Sequence, residues 1–216
     1  MSFRRYILAS RSPRRLELLQ QVVHPVLIEV RPPDSSDEAG FQDCRDLAAI
    51  QTRLLEIARH KADRVRTGLN SEEDGLYERP RTLLISADTT VVVQYESRPL
   101  VLGQPPDHDD WREVVTEWFL RHYAGQTHLA LTAVHVITPD GRFAERVVET
   151  RVTFRGDVER WLNWYLLTGE PRGKAGGYAL QGAGSVFIER VEGSLSNVIG
   201  LPLEALLDLF ADPSLK

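Results

Sequence analysis

The sequence predicts an α/β fold built on a mixed sheet. Three observations carry that reading. Segments with helical apolar spacing alternate with β-branched apolar runs along most of the 216 residues. One run, TLLISADTTVVVQ at 82–94, is apolar enough for a central strand. Two others, 127–138 and 142–155, flank Pro139-Asp140-Gly141, a turn signal that makes them an antiparallel hairpin.

In chain order, residues 3–10 read as a short strand, followed by Ser12 as N-cap and Pro13 at the first helical position, with Leu16, Leu18 and Leu19 behind them. Residues 24–33 read as a second strand closed by prolines, and 34–43 as an acidic loop. From Arg45 to about Arg66, Leu47, Ile50, Leu54, Ile57, Ala58, Lys61 and Val65 fall near one stripe of a helix. Residues 67–81 are polar, with two glycines and a proline, and read as a surface loop. After the central strand, a helix is expected from about Asp109 to Gly125, then the hairpin, then a helix capped by Asp157 that stops near Gly169 and Pro171. A glycine-rich loop, GKAGGYALQGAG, leads to a strand at 185–191, and Pro202 opens a final helix through Phe210.

Length and composition suit one globular domain over 1–216, with 42% hydrophobic and 26% charged residues. A formal charge of −5 argues against general binding to nucleic acid or a membrane surface. The single cysteine, Cys44, leaves no internal disulfide, and no apolar run is long enough to span a bilayer, so a cytoplasmic location is expected.

The chemistry concentrates in three places. At the first strand–helix junction, Arg11, Arg14 and Arg15 crowd a helix N-terminus, where the macrodipole favours acids. Free N–H groups there, with Ser10, Ser12 and the guanidinium forks, suit an anion such as phosphate; solvated surface charge is the plainer alternative. Asp88 interrupts an apolar strand, which a metal, a cation or a proton-transfer role would each explain. Lys61 sits on an apolar helical stripe, where a lysine usually reaches out to solvent, whereas Lys174 lies among glycines that let backbone approach a ligand. GEPRGKA is one residue short of a Walker A loop, no G-x-S-x-G elbow is present, and the histidines show no zinc-ligand spacing. Together these parts suit a phosphorylated small molecule and metal-assisted chemistry.

LASRSPRR (8–15), Glu38, ARHKA (58–62), SADTTV (86–91), the G-x-P turn at 103–105, GQTHLALTAV (125–134), GKAGGYALQG (173–182) and EGSLSNVIGLPL (192–203) occur in that order. The ordered set resembles the Maf family of nucleoside triphosphate pyrophosphatases and spans nearly the whole chain. The resemblance implies an elongated mixed sheet with flanking helices and two lobes around a nucleotide cleft, of the Maf/ITPase-like kind, and a homodimer. It implies cleavage between the α- and β-phosphates with a divalent cation, Mg²⁺ or Mn²⁺. Asp88 is then the proton acceptor; Glu38 and Asp88 hold the metal; and Ser10, Arg14, Arg15, Lys61 and Lys174 neutralise the triphosphate. The branch acting on dTTP and UTP is marked by Arg14, Thr89 and Gln181, and a glutamine amide suits the O4 and N3–H edge of a pyrimidine. House-cleaning of nucleotide pools follows from that assignment. The family's usual GKP turn is Gly103-Gln104-Pro105 here, one lysine fewer. Two alternatives stay open: a 7-methyl-GTP or broad-specificity pyrophosphatase, and a weakly catalytic nucleotide-binding regulator of cell division.

Overall fold

The computed structural model describes residues 3–34, 40–70 and 81–215. Their strands form one seven-stranded sheet in the order β2-β1-β3-β5-β6-β7, with β4 pairing on β3. The strands are β1 (Arg5–Leu8), β2 (Ile28–Val30), β3 (Thr82–Tyr95), β4 (Arg98–Leu102), β5 (Thr127–Ile137), β6 (Phe143–Phe154) and β7 (Ile188–Glu192). β1 runs parallel to β2 and β3, and the remaining pairings are antiparallel. The sheet is therefore mixed, as the sequence predicts. β5 and β6 form the expected hairpin, in register from Thr127↔Thr153 to Ile137↔Phe143.

β3 organises the molecule. On one edge it pairs with β5 over nine residues. On the other edge β1 pairs as far as Ile85 and β4 begins at Val91, so residues 86–90 have no strand partner there among the described residues. Successive side chains of β3 alternate between faces. On one face, Leu84 and Val92 pack against the long helix α2 (Leu47–Asn70). On the other, Leu83, Ile85 and Ala87 join a core cluster with α1 (Pro13–Gln20) and α6 (Leu203–Ala211). Further along that face, Val91 and Val93 join a second, aromatic-rich cluster with α3 (Trp111–Trp118) and α4 (Glu159–Thr168). The two clusters are the two lobes, and the gap in the edge of β3 lies between them.

Several expected elements differ. The second strand shortens to Ile28–Val30, because Pro25–Leu27 is a 3₁₀ turn whose Val26 N–H donates to His24 Nδ1 at 3.3 Å. α2 continues through Asn70, so the polar stretch expected as a loop from 67 begins helical; residues 71–80 lie outside the described residues. The Trp111–Trp118 helix passes into a π-helical turn, Phe119–Tyr123, before Gly125. Asp157 does not cap α4; its carboxylate takes Arg155 instead, at 3.1 Å. Residues 183–187 form a 3₁₀ turn and delay β7 to Ile188. Two elements were not expected: β4, and the short helix α5 (Leu195–Ile199). No described helix is long and apolar enough to cross a membrane.

Candidate active site

Ser12 caps α1, its hydroxyl accepting from the Arg15 N–H at 3.4 Å, and Pro13 follows at the first helical position. Ser10 supports the cap from behind by accepting from the Ser12 N–H at 3.1 Å. The junction is thus held by its own hydroxyls, and the first turn of α1 carries no acid. It opens into a cleft of about 450 Å³ between the two lobes, at the gap in the edge of β3.

That position lets both faces of the sheet contribute. Asp88, on the α2 face, receives Lys61 Nζ at 2.5 Å, and both side chains are about 15% exposed. Thr89, one residue on, serves the opposite face, where it accepts from Arg15 at 3.0 Å. Arg15 also donates through Nε to the Gly200 carbonyl at 2.9 Å and reaches Ser10 Oγ at 3.4 Å. The guanidinium is built into the cleft wall and does not simply extend from it. Arg11, to which the sequence assigned nothing, donates to the carbonyls of Pro33 and Asp34, at 2.8 and 3.2 Å, and ties the junction to the segment leaving β2.

The far wall is the glycine-rich loop. Its glycines are required where it meets the aromatic lobe: a Cβ on Gly176, at φ +68°, would lie 2.5 Å from the Tyr123 hydroxyl and 2.7 Å from Val91. Tyr123 and Tyr165 donate to the carbonyls of Gly176 and Gly177, at 2.8 and 3.0 Å, while the Tyr178 hydroxyl pairs with His128 Nε2 at 2.8 Å. Burial drives the His128 pKa down to about 3, so the imidazole is neutral. Lys174 Nζ is held by the Glu170 carbonyl at 2.6 Å, and burial, followed by the charge of Arg14, lowers its pKa.

Ser10, Arg14, Arg15, Lys61, Asp88, Thr89, Lys174 and Gln181 therefore line one cleft. Glu38 lies outside the described residues. Gln104 also lines the cleft, so a neutral amide stands where the resemblance implies a lysine. Among the described lining residues, Arg11, Arg14, Arg15, Lys61 and Lys174 face a single carboxylate, Asp88, in a chain whose formal charge is −5. Such a pocket concentrates positive potential where a polyanion would bind. No group of three or more His, Cys, Asp or Glu that could hold a metal occurs among the described residues. Mg²⁺ commonly uses only one or two protein carboxylates together with substrate phosphates, and Asp88 fits that donor set.

Sequence reasoning passed over the supports. Asn197 is fully buried and donates to the Ala130 carbonyl of β5 at 3.0 Å and to Thr150 Oγ1 of β6 at 2.9 Å, pinning α5 to the sheet. The Asn197 carbonyl accepts from Thr132 Oγ1, which in turn lies 3.0 Å from Thr89. A chain of polar contacts thus runs from α5 through β5 to Arg15. The Ser194 N-cap and the polar residues of SLSN were the available signals.

A family model described as Maf-like protein matches residues 5–212. A curated dTTP/UTP pyrophosphatase from Anaeromyxobacter dehalogenans (strain 2CP-1) is 41% identical, covering 92% of this chain and 89% of that protein. Others of the same name, from Pyrococcus horikoshii and Brucella abortus, are 34% and 35% identical, covering 94% and 95% of this chain and 94% and 90% of theirs. Among solved structures, a Mycobacterium abscessus nucleoside-triphosphatase, also titled dITP/XTP pyrophosphatase, aligns over 94% of this chain and 92% of its own. The TM-score of 0.41 and 13% identity are too low to bear on function.

Proposed function

Because the chain belongs to the Maf family, we propose that it hydrolyses dTTP and UTP to the nucleoside monophosphate and pyrophosphate, clearing nucleotide pools. The observation that carries the reading is the cleft itself: among its described lining residues one strand carboxylate, Asp88, stands with five cations, and Gln181 lies on the far wall. In this reading Arg14, Lys174 and the N-terminus of α1 take phosphate oxygens, and Lys61 and Arg15 hold charge near the scissile bond. Charge stabilisation of that kind supplies most of the rate in phosphoryl chemistry, since little covalent work falls to the protein. Asp88 accepts the proton of the attacking water. Asp88, together with Glu38 as the resemblance implies, would hold a divalent cation, which when bound would supply Lewis acidity at the phosphates. When the triphosphate enters, its oxygens compete with Asp88 for Lys61. Gln181, with a donor and an acceptor on one amide, reads the pyrimidine edge. The reading also carries a homodimer working in the cytoplasm, without nucleic-acid or membrane partners.

The test is a panel of nucleoside triphosphates assayed with Mg²⁺ and Mn²⁺. Expected are preferential turnover of dTTP and UTP, release of pyrophosphate, and a loss of about 10²–10⁴ in rate in Asp88→Asn with nucleotide binding retained. Equal or better turnover of 7-methyl-GTP would replace the pyrimidine assignment. Binding without turnover by the unaltered chain would make it a nucleotide-binding regulator.

A further inference from the structure

Beyond the residues that line the cleft, one side chain behind it governs the loop that carries the base-reading amide. α4 ends at Gly169, in the left-handed conformation at φ +70°, and Glu170 follows directly. Its two carboxylate oxygens take two consecutive backbone donors of the returning loop: Oε2 accepts from the Ala183 N–H at 2.7 Å, and Oε1 from the Gly184 N–H at 2.9 Å. The Tyr165 hydroxyl lies 3.3 Å from Oε1. The loop passes so close that a Cβ on Gly182 would fall 2.1 Å from Oε2. The backbone carbonyl of the same residue holds Lys174 Nζ. Glu170 thus grips the loop at both ends of the segment that lines the cleft.

We propose that Glu170 is the positioning residue for base selection: by fixing the turn at 182–184 it sets where the Gln181 amide meets the nucleotide base. The proposal rests on the pyrophosphatase reading above. Gln181 is exposed to the cleft and carries a long flexible side chain. An amide on such a stem discriminates between bases only if its backbone origin is fixed, because a loop free to move lets the amide follow either base and adds the cost of ordering that loop on binding. Glu170 itself is not part of the cleft lining. Its influence on substrate choice therefore passes through the loop.

Two variants perturb the grip from opposite sides. Glu170→Gln is isosteric, but its amide nitrogen cannot accept from an N–H, so one of the two loop bonds is lost. Gly182→Ala leaves the carboxylate in place and drives a methyl against it. In each, kcat/KM is measured for dTTP and for 7-methyl-GTP, and their ratio is compared with that of the unaltered enzyme. This ratio does not depend on the fraction of folded enzyme, so lost stability alone leaves it unchanged. Both variants are expected to move it about tenfold toward parity, with KM for dTTP rising more than kcat falls. A uniform loss across nucleotides with the ratio unchanged would overturn the proposal and leave Glu170 a loop support. If Glu170→Gln does not fold, Gly182→Ala and Tyr165→Phe carry the same readout. The unaltered enzyme alone decides the pyrophosphatase reading; should it prefer another triphosphate, the ratio is taken against that one.

Discussion

Thr89 holds its place through three partners, and each belongs to a different part of the fold. It accepts from Arg15 of α1, pairs with Thr132 of β5, and lies 3.5 Å from the Gly200 carbonyl beyond α5. The resemblance makes Thr89 a mark of base choice; its contacts add a second role, a support for the guanidinium. Thr89→Val, which keeps the shape and removes the hydroxyl, should raise KM for every triphosphate by about tenfold. Thr89→Ser should restore it. A change confined to one base in a nucleotide panel would return Thr89 to the specificity role. Asp88 was legible in the sequence because a carboxylate inside an apolar run demands a reason. Thr132 and Asn197 were not, since a threonine in a strand and an asparagine in a loop-like motif are unremarkable until the register sets them beside Thr89 and β6.

At the scale of elements, the five-residue α5 is too short to persist through its own hydrogen bonds. Asn197 attaches it to β5 and β6, and its C-terminal cap presents the Gly200 carbonyl to Arg15. Asn197→Ala should therefore cost about 2–3 kcal/mol in urea unfolding and weaken nucleotide binding, because buried partners on two strands lose their donor. Unfolding coincident with that of the unaltered protein would refute the attachment. The same brevity hid α5 from periodicity, which needs several turns to register. β4 was hidden differently. Its hairpin turns at Glu96-Ser97 with φ of +47° and +64°, a conformation usually signalled by Asn-Gly. By contrast, the β5–β6 hairpin, the long α2 and the Ser12-Pro13 start of α1 were visible because alternation, stripe and cap each carry their own local signal.

For the molecule as a whole, the aromatic lobe carries a pH limit. His128 titrates near 3 when folded, against about 6.5 in an unfolded chain, so between those values the unfolded state binds more protons. The His128 contribution should be level above pH 6.5 and fall as pH drops below it, by up to about 1.4 kcal/mol per unit near pH 5. His135, also lowered by burial, acts in the same direction. Thermal unfolding followed between pH 7 and 5 checks the sign, and His128→Gln, which leaves Tyr178 a partner, should flatten the curve. A stability that rises on acidification would contradict the buried neutral imidazole. The charge pattern at this scale was half legible: the −5 total and the basic junction are plain in the sequence, but the approach of Lys61 and Lys174 to that junction depends on the topology.

The contact between Arg15 and Gly200 spans 185 positions of chain. During synthesis Arg15 emerges 185 positions ahead of the carbonyl that seats it. Such long closures slow folding and delay its reward until the end. A nascent chain therefore has these charges without the frame that orients them until synthesis has passed residue 200. Turnover is in that sense a report on folding through residue 200, which a fragment ending before it cannot give.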